Sequence, residues 1–307
     1  MQNGEYTELK AFCAVAEAGR FSTAAKRLQI SASALSQIIR RLEDRLDVRL
    51  FNRTTRSVAL TEDGERFFQQ IRPALGSLEA AFHELKAQSG TLSGIVRIHA
   101  THMAADTILT PFIGQFHQHY PDIVLDVVAE DSIIDITAAG FDCGIALGEF
   151  VQQDMIAYPL GPELRMTAAA SPDYLAKHGT PQTPADLQHH QCLNWRHMAE
   201  KSIYRWEFFQ DDHWISVAVN GPLITTRREL ALTAALQHIG IVFWTEDKLQ
   251  PWLDSGELVP LLQDFCPPFL GWHLYYPRHR HSSSALRALI EALRQFYPRP
   301  SSLSESR

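Results

Sequence analysis

Residues 31–51 read SASALSQIIRRLEDRLDVRLF. The stretch opens on small and hydroxylated side chains and then sets four arginines among leucines and isoleucines. Ser31 is a natural helix cap, and the helix it starts is expected to run to about Arg45 or Leu46. Leu35, Ile38, Ile39, Leu42 and Leu46 fall on one face and suit packing. Ser33, Ser36, Gln37 and Arg40 recur at three- and four-residue spacing on another. A two-residue break, Gln29-Ile30, separates this helix from FSTAAKRLQI at 21–30. There Ser22 is the expected cap, and Ala24, Ala25 and Leu28 form a small apolar face that lets a helix cross closely. Two helices joined by a short turn make a helix-turn-helix pattern. Before it, TELKAFCAVAEAG at 7–19 is a helix with Leu9, Phe12, Val15 and Ala16 on one side and a stop at Gly19. After it, VRLFNRTTRSVALT at 48–61 alternates apolar and polar residues around a basic turn, as a two-stranded wing does.

The chain has 307 residues, enough for about two domains. Hydrophobic residues make up 45% and charged residues 21%, a globular composition. The net charge of -7 hides an asymmetry. Between Arg20 and Leu60 stand nine basic and three acidic residues, a surplus of +6, while the remainder carries -13. A basic head on an acidic body points to a polyanion at one end only. The N-terminus, MQNGEYTELKAF, lacks the basic-then-apolar pattern of a signal peptide, and no apolar run approaches the ~18 residues of a membrane span. The expected setting is cytoplasmic, with Cys13, Cys143, Cys192 and Cys266 as reduced, buried thiols.

Thr61 is the expected cap of a long helix whose apolar positions are Phe67, Ile71, Leu75, Leu78, Phe82 and Leu85. Their steps of four and three approach a coiled-coil seam and suggest a dimerisation helix; a helix lying on its own domain is the alternative. Pro73 should bend it or mark an irregularity. AQSGTLSG at 87–94 has the composition of a hinge. Beyond it strands and helices alternate: IVRIHA, DTILTPFIGQFHQHYP, IVLDVVAE, a helix over SIIDITAAG, then FDCGIALG. That order suggests a parallel sheet flanked by helices. A second unit starts near Arg165. It holds helix SPDYLAKHG, a short helix in TPADLQHHQCL, the antiparallel-looking run 204–226, a helix at 228–238 and strand GIVFW. GWHLYYPR and SSSALRALIEALRQFY supply a strand and helix that return to the first unit.

From Leu9 to Gly64 the chain resembles the DNA-binding domain of LysR-type transcriptional regulators. The features stand as AFCAVAEAGRFSTAAKRLQISASALSQIIRRLEDRLDVRLFNRTTRSVALTEDG. The resemblance extends to about Arg294, through DMIAYPLGPELRMTAAASPDYLAKHGTPQTPADLQHHQC and LGWHLYYPRHRHSSSALRALIEALR. It implies an α/β chain: an N-terminal winged helix-turn-helix over 1–61, a linker and dimerisation helix over 62–89, and a two-lobed, periplasmic-binding-protein-like effector domain over 90–307. Lobe 1 would take about 90–164 and 266–307, lobe 2 about 165–265. It also implies double-stranded DNA with a dyad-symmetric operator as partner and a dimer, usually a tetramer. A small-molecule effector of unknown identity would modulate DNA binding or bending, and RNA polymerase is a further candidate partner.

By match to the family, Ala32, Ser33, Ser36, Gln37 and Arg40 lie on the reading surface, where Gln suits adenine and Arg suits guanine. Arg53, Thr54 and Arg56 fall in the wing, toward phosphate or the minor groove. Arg45 and Arg49 suit intramolecular pairing or solvent. The family's cleft segments nominate Thr101, His102, Gly148, Glu149, Trp195, Tyr204, Trp206, Thr226, Arg227 and Trp244 for the effector, with Thr101, Thr226 and Arg227 for a carboxylate. Two positions depart from the family: Ala146 stands where many relatives have arginine, and Arg227-Arg228 near where many have Asn-Asp. No cofactor or metal is expected. The fourteen histidines, His189-His190 and HRH at 279–281 included, show no second ligand pair at metal spacing. No nucleophile elbow, phosphate loop or dinucleotide fingerprint appears, so an enzyme is not expected. The alternative function is a cytoplasmic small-molecule sensor or adaptor without a DNA role.

Overall fold

Helix α1 (Glu5–Ala18) ends where Gly19 turns left-handed at φ 60°, which glycine does without strain. Helices α2 (Phe21–Arg27) and α3 (Ala32–Leu46) follow. The computed structural model describes residues 4–53, 58–87, 92–132, 134–196, 202–278 and 283–298. Ser31 caps α3 as expected, its hydroxyl accepting from the Ala34 amide at 3.1 Å. Ser22 does not cap α2: the helix begins at Phe21 behind an extended Arg20. Phe21 packs edge-on against Phe51 at 6.2 Å, so an anchored ring rather than a hydroxyl sets that start. Strands β1 (Phe51–Arg53) and β2 (Val58–Leu60) pair antiparallel as the wing. Phe12, Leu35, Ile39 and Leu42 are fully buried at the centre of this head. Phe12 sits 5.3 Å from Phe51 and 5.2 Å from Phe67. Burying such a ring stabilises the fold by about 1.5–3 kcal/mol.

Thr61 caps α4 (Glu62–Ala87): its hydroxyl accepts from Gly64 at 3.0 Å and donates to the Arg49 carbonyl at 2.7 Å. A Cβ on Gly64 would collide with the Leu50 carbonyl. The helix runs through Pro73 without ending. Its apolar seam is divided. Phe67, Ile71 and Leu75 pack on the core of their own head, Leu75 buried and the other two partly buried. Leu78 is exposed, and the side chains of Phe82 and Leu85 lie outside those described.

The body begins with β3 (Gly94–Ala100). Helix α5 (His102–Ala104) continues through a wider π turn at Ala105–Leu109 into α6 (Thr110–His119). Strands β4 (Ile123–Ala129), β5 (Cys143–Leu147) and β6 (Met155–Pro159) follow. The expected helix over SIIDITAAG is absent among the described residues there, where turns occupy 136–140. Asp135 accepts from the Thr137 and Ala138 amides at 2.9 and 3.0 Å, a local bonding pattern that competes with a helix.

The second lobe is built around β7 (Leu164–Ala170) and α7 (Pro172–His178). Strand β8 (Leu193–Trp195) precedes the hairpin β9 (Trp206–Gln210) and β10 (His213–Val217). Strand β11 (Leu223–Thr225) pairs parallel with β8 and leads into α8 (Arg228–Leu236). Next come β12 (Val242–Thr245), α9 (Glu246–Ser255), β13 (Val259–Leu261) and β14 (Pro268–Phe269). Strands β12, β13 and β14 all pair antiparallel with β7. The chain then returns. Strand β15 (Trp272–Pro277) inserts between β5 and β6, and α10 (Ser284–Phe296) packs Leu286, Leu289 and Leu293 into the first lobe's core. The first sheet has order β4-β3-β5-β15-β6 and is mixed: parallel at β3, antiparallel at β15. The return strand, approaching from the second lobe, accounts for the departure from an all-parallel sheet.

Candidate nucleic-acid interface and interlobe site

Helix α3 divides as its sequence divides. Leu35, Ile39 and Leu42 are buried, whereas Ala32, Ser33, Gln37 and Arg40 are exposed and Ser36 is half-buried. Among the described residues neither Arg40 nor Arg41 pairs with a carboxylate. Arg45 is engaged, bridging to Glu5 at 3.1 Å and Glu8 at 2.7 Å, so it ties α3 to α1. Ser33 shares a 3.0 Å hydrogen bond with the capping Ser31 hydroxyl. Glu43 steadies the wing by accepting from the Leu50 and Phe51 amides at 2.9 and 3.2 Å. Arg53 closes β1, with its side chain outside the described set, and Thr54 and Arg56 lie outside the described residues. A capped helix start with small side chains and, on the same face, an exposed Arg40 that pairs with no carboxylate among the described residues suits close approach to a polyanion.

The head is fixed to the body through Arg72 of α4, 7% exposed. Its Nε lies 2.5 Å from Glu17 of α1, and the other oxygen of Glu17 takes Arg27 of α2 at 2.6 Å. The Arg72 stem lies against Gly140 of the first lobe: a Cβ there would meet Arg72 Cγ at 2.9 Å, and φ is +81°. Glycine meets both demands.

Where the lobes meet, Met103 of the first faces Trp195, Arg228 and Trp244 of the second. The Trp244 indole N–H donates to Met103 Sδ at 3.3 Å, and Arg228 Nη1 approaches the same sulfur at 3.7 Å. The Arg228 guanidinium carbon lies 3.7 Å from the Trp195 ring centroid, and Tyr204 stacks on Trp195 at 4.6 Å and 25°. Tyr204 donates to Glu207 at 3.2 Å. Burial lowers the Arg228 pKa to about 10, leaving it charged at neutral pH. Burial raises Glu149, and Glu207 on the facing lobe pushes it the same way.

The expected effector set is thus only partly gathered. Trp195, Tyr204 and Trp244 meet at the junction. Thr101 spends its hydroxyl capping α5, accepting from Ala104 at 3.1 Å. His102 points outward beside Asp131, and Gly148 is pressed against His273 and Leu270. Trp206 is not available to a ligand: it is 0% exposed and stacks on Phe243 at 4.9 Å inside the second lobe. Thr226 and Arg227 are exposed, and the carboxylate that Arg227 approaches among the described residues is Glu229, at 3.9 Å. The arginine at the junction is Arg228, one residue on. The signal was present in the sequence, since the first residue of a helix and its cap point in different directions, but the exact start of α8 decides which is which. Ala146, at the family's arginine position, packs against the small cluster of Ile136, Met155 and Tyr275.

Other reactive groups are structural. All four cysteines are buried, and none is in a disulfide. Burial raises the thiols of Cys192 and Cys266 to about 12 and pushes Cys143 up as well. A Ser171–His238–Asp173 arrangement exists, with His238 Nδ1 2.8 Å from the serine and Nε2 3.5 Å from the aspartate. Ser171 is fully buried and caps α7, so its hydroxyl does not face a substrate. Among the described residues no group of histidine, cysteine or carboxylate side chains is arranged to hold a metal, and no helix is long and apolar enough to cross a membrane.

Two family models match the chain. Residues 6–65 match the bacterial regulatory helix-turn-helix protein of the lysR family, and residues 89–298 match the LysR substrate binding domain. A candidate transcriptional regulator of Pseudomonas aeruginosa is 39% identical over 95% of this chain and 95% of its own length. The HTH-type transcriptional regulator PgrR of Escherichia coli is 34% identical, covering 96% and 98%. Among solved structures, CrgA of Neisseria meningitidis, a LysR-type transcriptional regulator, superposes with a TM-score of 0.58 at 29% identity, covering 95% of this chain and 99% of that one.

Proposed function

The chain belongs to the LysR family of bacterial DNA-binding transcriptional regulators, and from that premise we propose how it reads its operator. Helix α3 lies in the major groove with Ala32 and Ser33 at the backbone and Ser36, Gln37 and Arg40 toward base edges. Arg53, Thr54 and Arg56 of the wing meet phosphate or the minor groove, supplying affinity without sequence information. The observation that carries this reading is the face of α3 that keeps Gln37 and Arg40 exposed while Arg45 is drawn off to Glu5 and Glu8.

The two-lobed body takes a small-molecule effector at the junction of Met103, Trp195, Tyr204 and Trp244. An effector that binds one lobe arrangement better shifts the population toward it. The lobe-to-head contact at Gly140 and Arg72 is a physical route by which that shift changes head spacing and DNA bending.

Self-association supports a dyad operator. Edge strand β4 exposes Val124, 56% accessible, and Val128, and an unprotected apolar edge suits a second copy. Leu78 of α4 is a second exposed apolar position, and the proposed dimerisation seam continues from it in sequence through Phe82 and Leu85. The protein acts in the cytoplasm, where DNA is, and as a regulator rather than an enzyme.

A gel shift with the DNA upstream of the protein's own gene tests the DNA role. A salt-sensitive, saturable complex that outcompetes scrambled DNA is expected. Equal retention of both DNAs, or of neither, favours a sensor without operator recognition.

A further inference from the structure

We propose that Met103 is an oxidation site, and that its sulfoxide oxygen is held by the Arg228 guanidinium and the Trp244 indole N–H, which tightens the contact between the lobes. The site goes beyond the effector reading: it works whether or not a small molecule binds at the junction.

A methionine in a protein interior is ordinarily a flexible gap-filler among apolar groups. Met155 and Met166 fit that pattern: Met155 is buried with Ile136 and Tyr275, and Met166 packs on the core of the second lobe. Met1 and Met198 lie outside the described residues. Met103 is different. Its sulfur faces two N–H donors, Trp244 Nε1 at 3.3 Å and Arg228 Nη1 at 3.7 Å. A thioether is a weak acceptor for either. The guanidinium is the worse matched of the two. One face of its plane lies on the Trp195 ring, 3.7 Å away, and among the described residues no carboxylate bridges to it, because the nearby Glu229 leans toward Arg227.

Two donors aimed at a poor acceptor become two donors aimed at a good one when the sulfur carries an oxygen. The oxidant is a hydroperoxide. The thioether attacks one peroxide oxygen, the S–O bond forms and the O–O bond breaks. Sulfur loses two electrons, the peroxide gains them, and the proton of the transferred oxygen leaves with the other fragment as water or an alcohol. The product is polar where the thioether was apolar. An ordinary N–H···O contact is about 2.9 Å, so the 3.7 Å from the guanidinium nitrogen to the sulfur leaves space for an oxygen set off the line between them. That hydrogen bond is charge-assisted. Met103 is half-buried, within reach of so small an oxidant, whereas Met155 is buried. Cys143, Cys192 and Cys266 are buried thiols held protonated, and offer the oxidant little thiolate. Oxidation has a structural consequence. Met103 belongs to the first lobe, in α5 behind its Thr101 cap, and both donors belong to the second. The lobe arrangement that gains these hydrogen bonds gains population, whereas oxidation of an ordinary core methionine loosens its surroundings.

The test treats the full-length chain with hydrogen peroxide and then with dithiothreitol, which reverses disulfides and sulfenic acids but leaves sulfoxide in place. Peptide mass spectrometry locates the added oxygen. Thermal unfolding and operator affinity are read before and after, each variant against its own untreated sample. The expected result is that Met103 is oxidised ahead of every other methionine. The unfolding temperature of the body then rises by about 2–4 °C, and operator affinity changes by about fivefold or more. Methionine sulfoxide reductase reverses both changes. Met103→Leu, nearly equal in volume, shows neither change on treatment. Met103→Gln, whose amide oxygen stands in for that of the sulfoxide, unfolds near the temperature of the oxidised protein without treatment. Arg228→Lys keeps the charge without the fork and gains less on oxidation than wild type does. The proposal is overturned if another methionine takes the oxygen first, or if sulfoxide at Met103 lowers the unfolding temperature or leaves it or operator affinity unchanged. It is equally overturned if Met103→Leu responds to peroxide as wild type does. Operator recognition and small-molecule binding are measured on untreated protein, so their failure is read separately.

Discussion

Two arginines sit at the two junctions of this chain, and they are opposites. Arg72, where head meets body, is buried and completed: Glu17 takes its Nε, and Gly140 closes over its stem. Arg228, where lobe meets lobe, is half-buried and incomplete, facing a thioether and an indole ring. A buried cation with a carboxylate is a fastener, and removing it leaves the carboxylate stranded. A cation whose best acceptor is sulfur contributes little to folding and holds its hydrogen-bonding capacity for something else. One junction is built to transmit, the other to receive.

The sharpest way to break that contrast is to truncate both arginines to methionine. Arg72→Met should cost about 2–3 kcal/mol, discounted from the buried-pair range because Glu17 is partly exposed and keeps Arg27. At roughly 2–4 °C per kcal/mol, the head's unfolding transition falls by several degrees. Arg228→Met should leave thermal unfolding unchanged or slightly raised, because an under-satisfied charge leaves the interior. Equal losses at the two sites would erase the distinction.

A smaller effect tests whether the reading helix is held in place by its cap. Ser31→Ala should lower stability by about 1 kcal/mol, seen as a reduced denaturant midpoint. It should also weaken operator binding, because Ser31 bonds both the Ala34 amide and the Ser33 hydroxyl. An unchanged midpoint would mean that packing of Leu35 and Ile39 alone fixes the helix start.

The smallest expected effect belongs to the body. His99 is buried beside Phe141, and burial lowers its pKa, with Glu130 partly opposing. The unfolded chain therefore binds a proton near pH 6.5 that the folded chain refuses until lower pH. The associated stability is complete above about pH 6.5 and declines below it. His99→Gln should flatten the fall in melting temperature between about pH 6.5 and 5.5 relative to wild type; identical slopes would assign the acid sensitivity elsewhere, with His190 the next histidine of lowered pKa.

How far the sequence foresees this molecule differs between its ends. In the head, local chemistry decides: Ser31 and Thr61 cap where expected, Gly19 stops α1, and Arg45 pairs rather than projecting. The apolar seam of α4 is read less sharply, because periodicity reports that Phe67, Ile71 and Leu75 face apolar surroundings but not which chain supplies them; their own head buries Leu75 and partly buries the other two. In the body, tertiary partners decide. Trp206 and Trp195 look alike in sequence, yet one is core and the other stacks at the junction. Arg227 and Arg228 are adjacent, and a single residue of helix register turns one to solvent and the other inward. Helix α9 escapes because Pro251 interrupts its pattern, and SIIDITAAG misleads because Asp135 diverts its backbone into a turn.

The most direct test of the central claim, that α3 reads DNA sequence through its exposed polar face, is the ratio of operator to scrambled-DNA affinity, measured by fluorescence anisotropy at fixed salt. Gln37→Ala should reduce that ratio by about 1–3 kcal/mol, or roughly tenfold to a hundredfold, while scrambled-DNA binding stays near wild type. A wild-type ratio in the Gln37→Ala protein would contradict it.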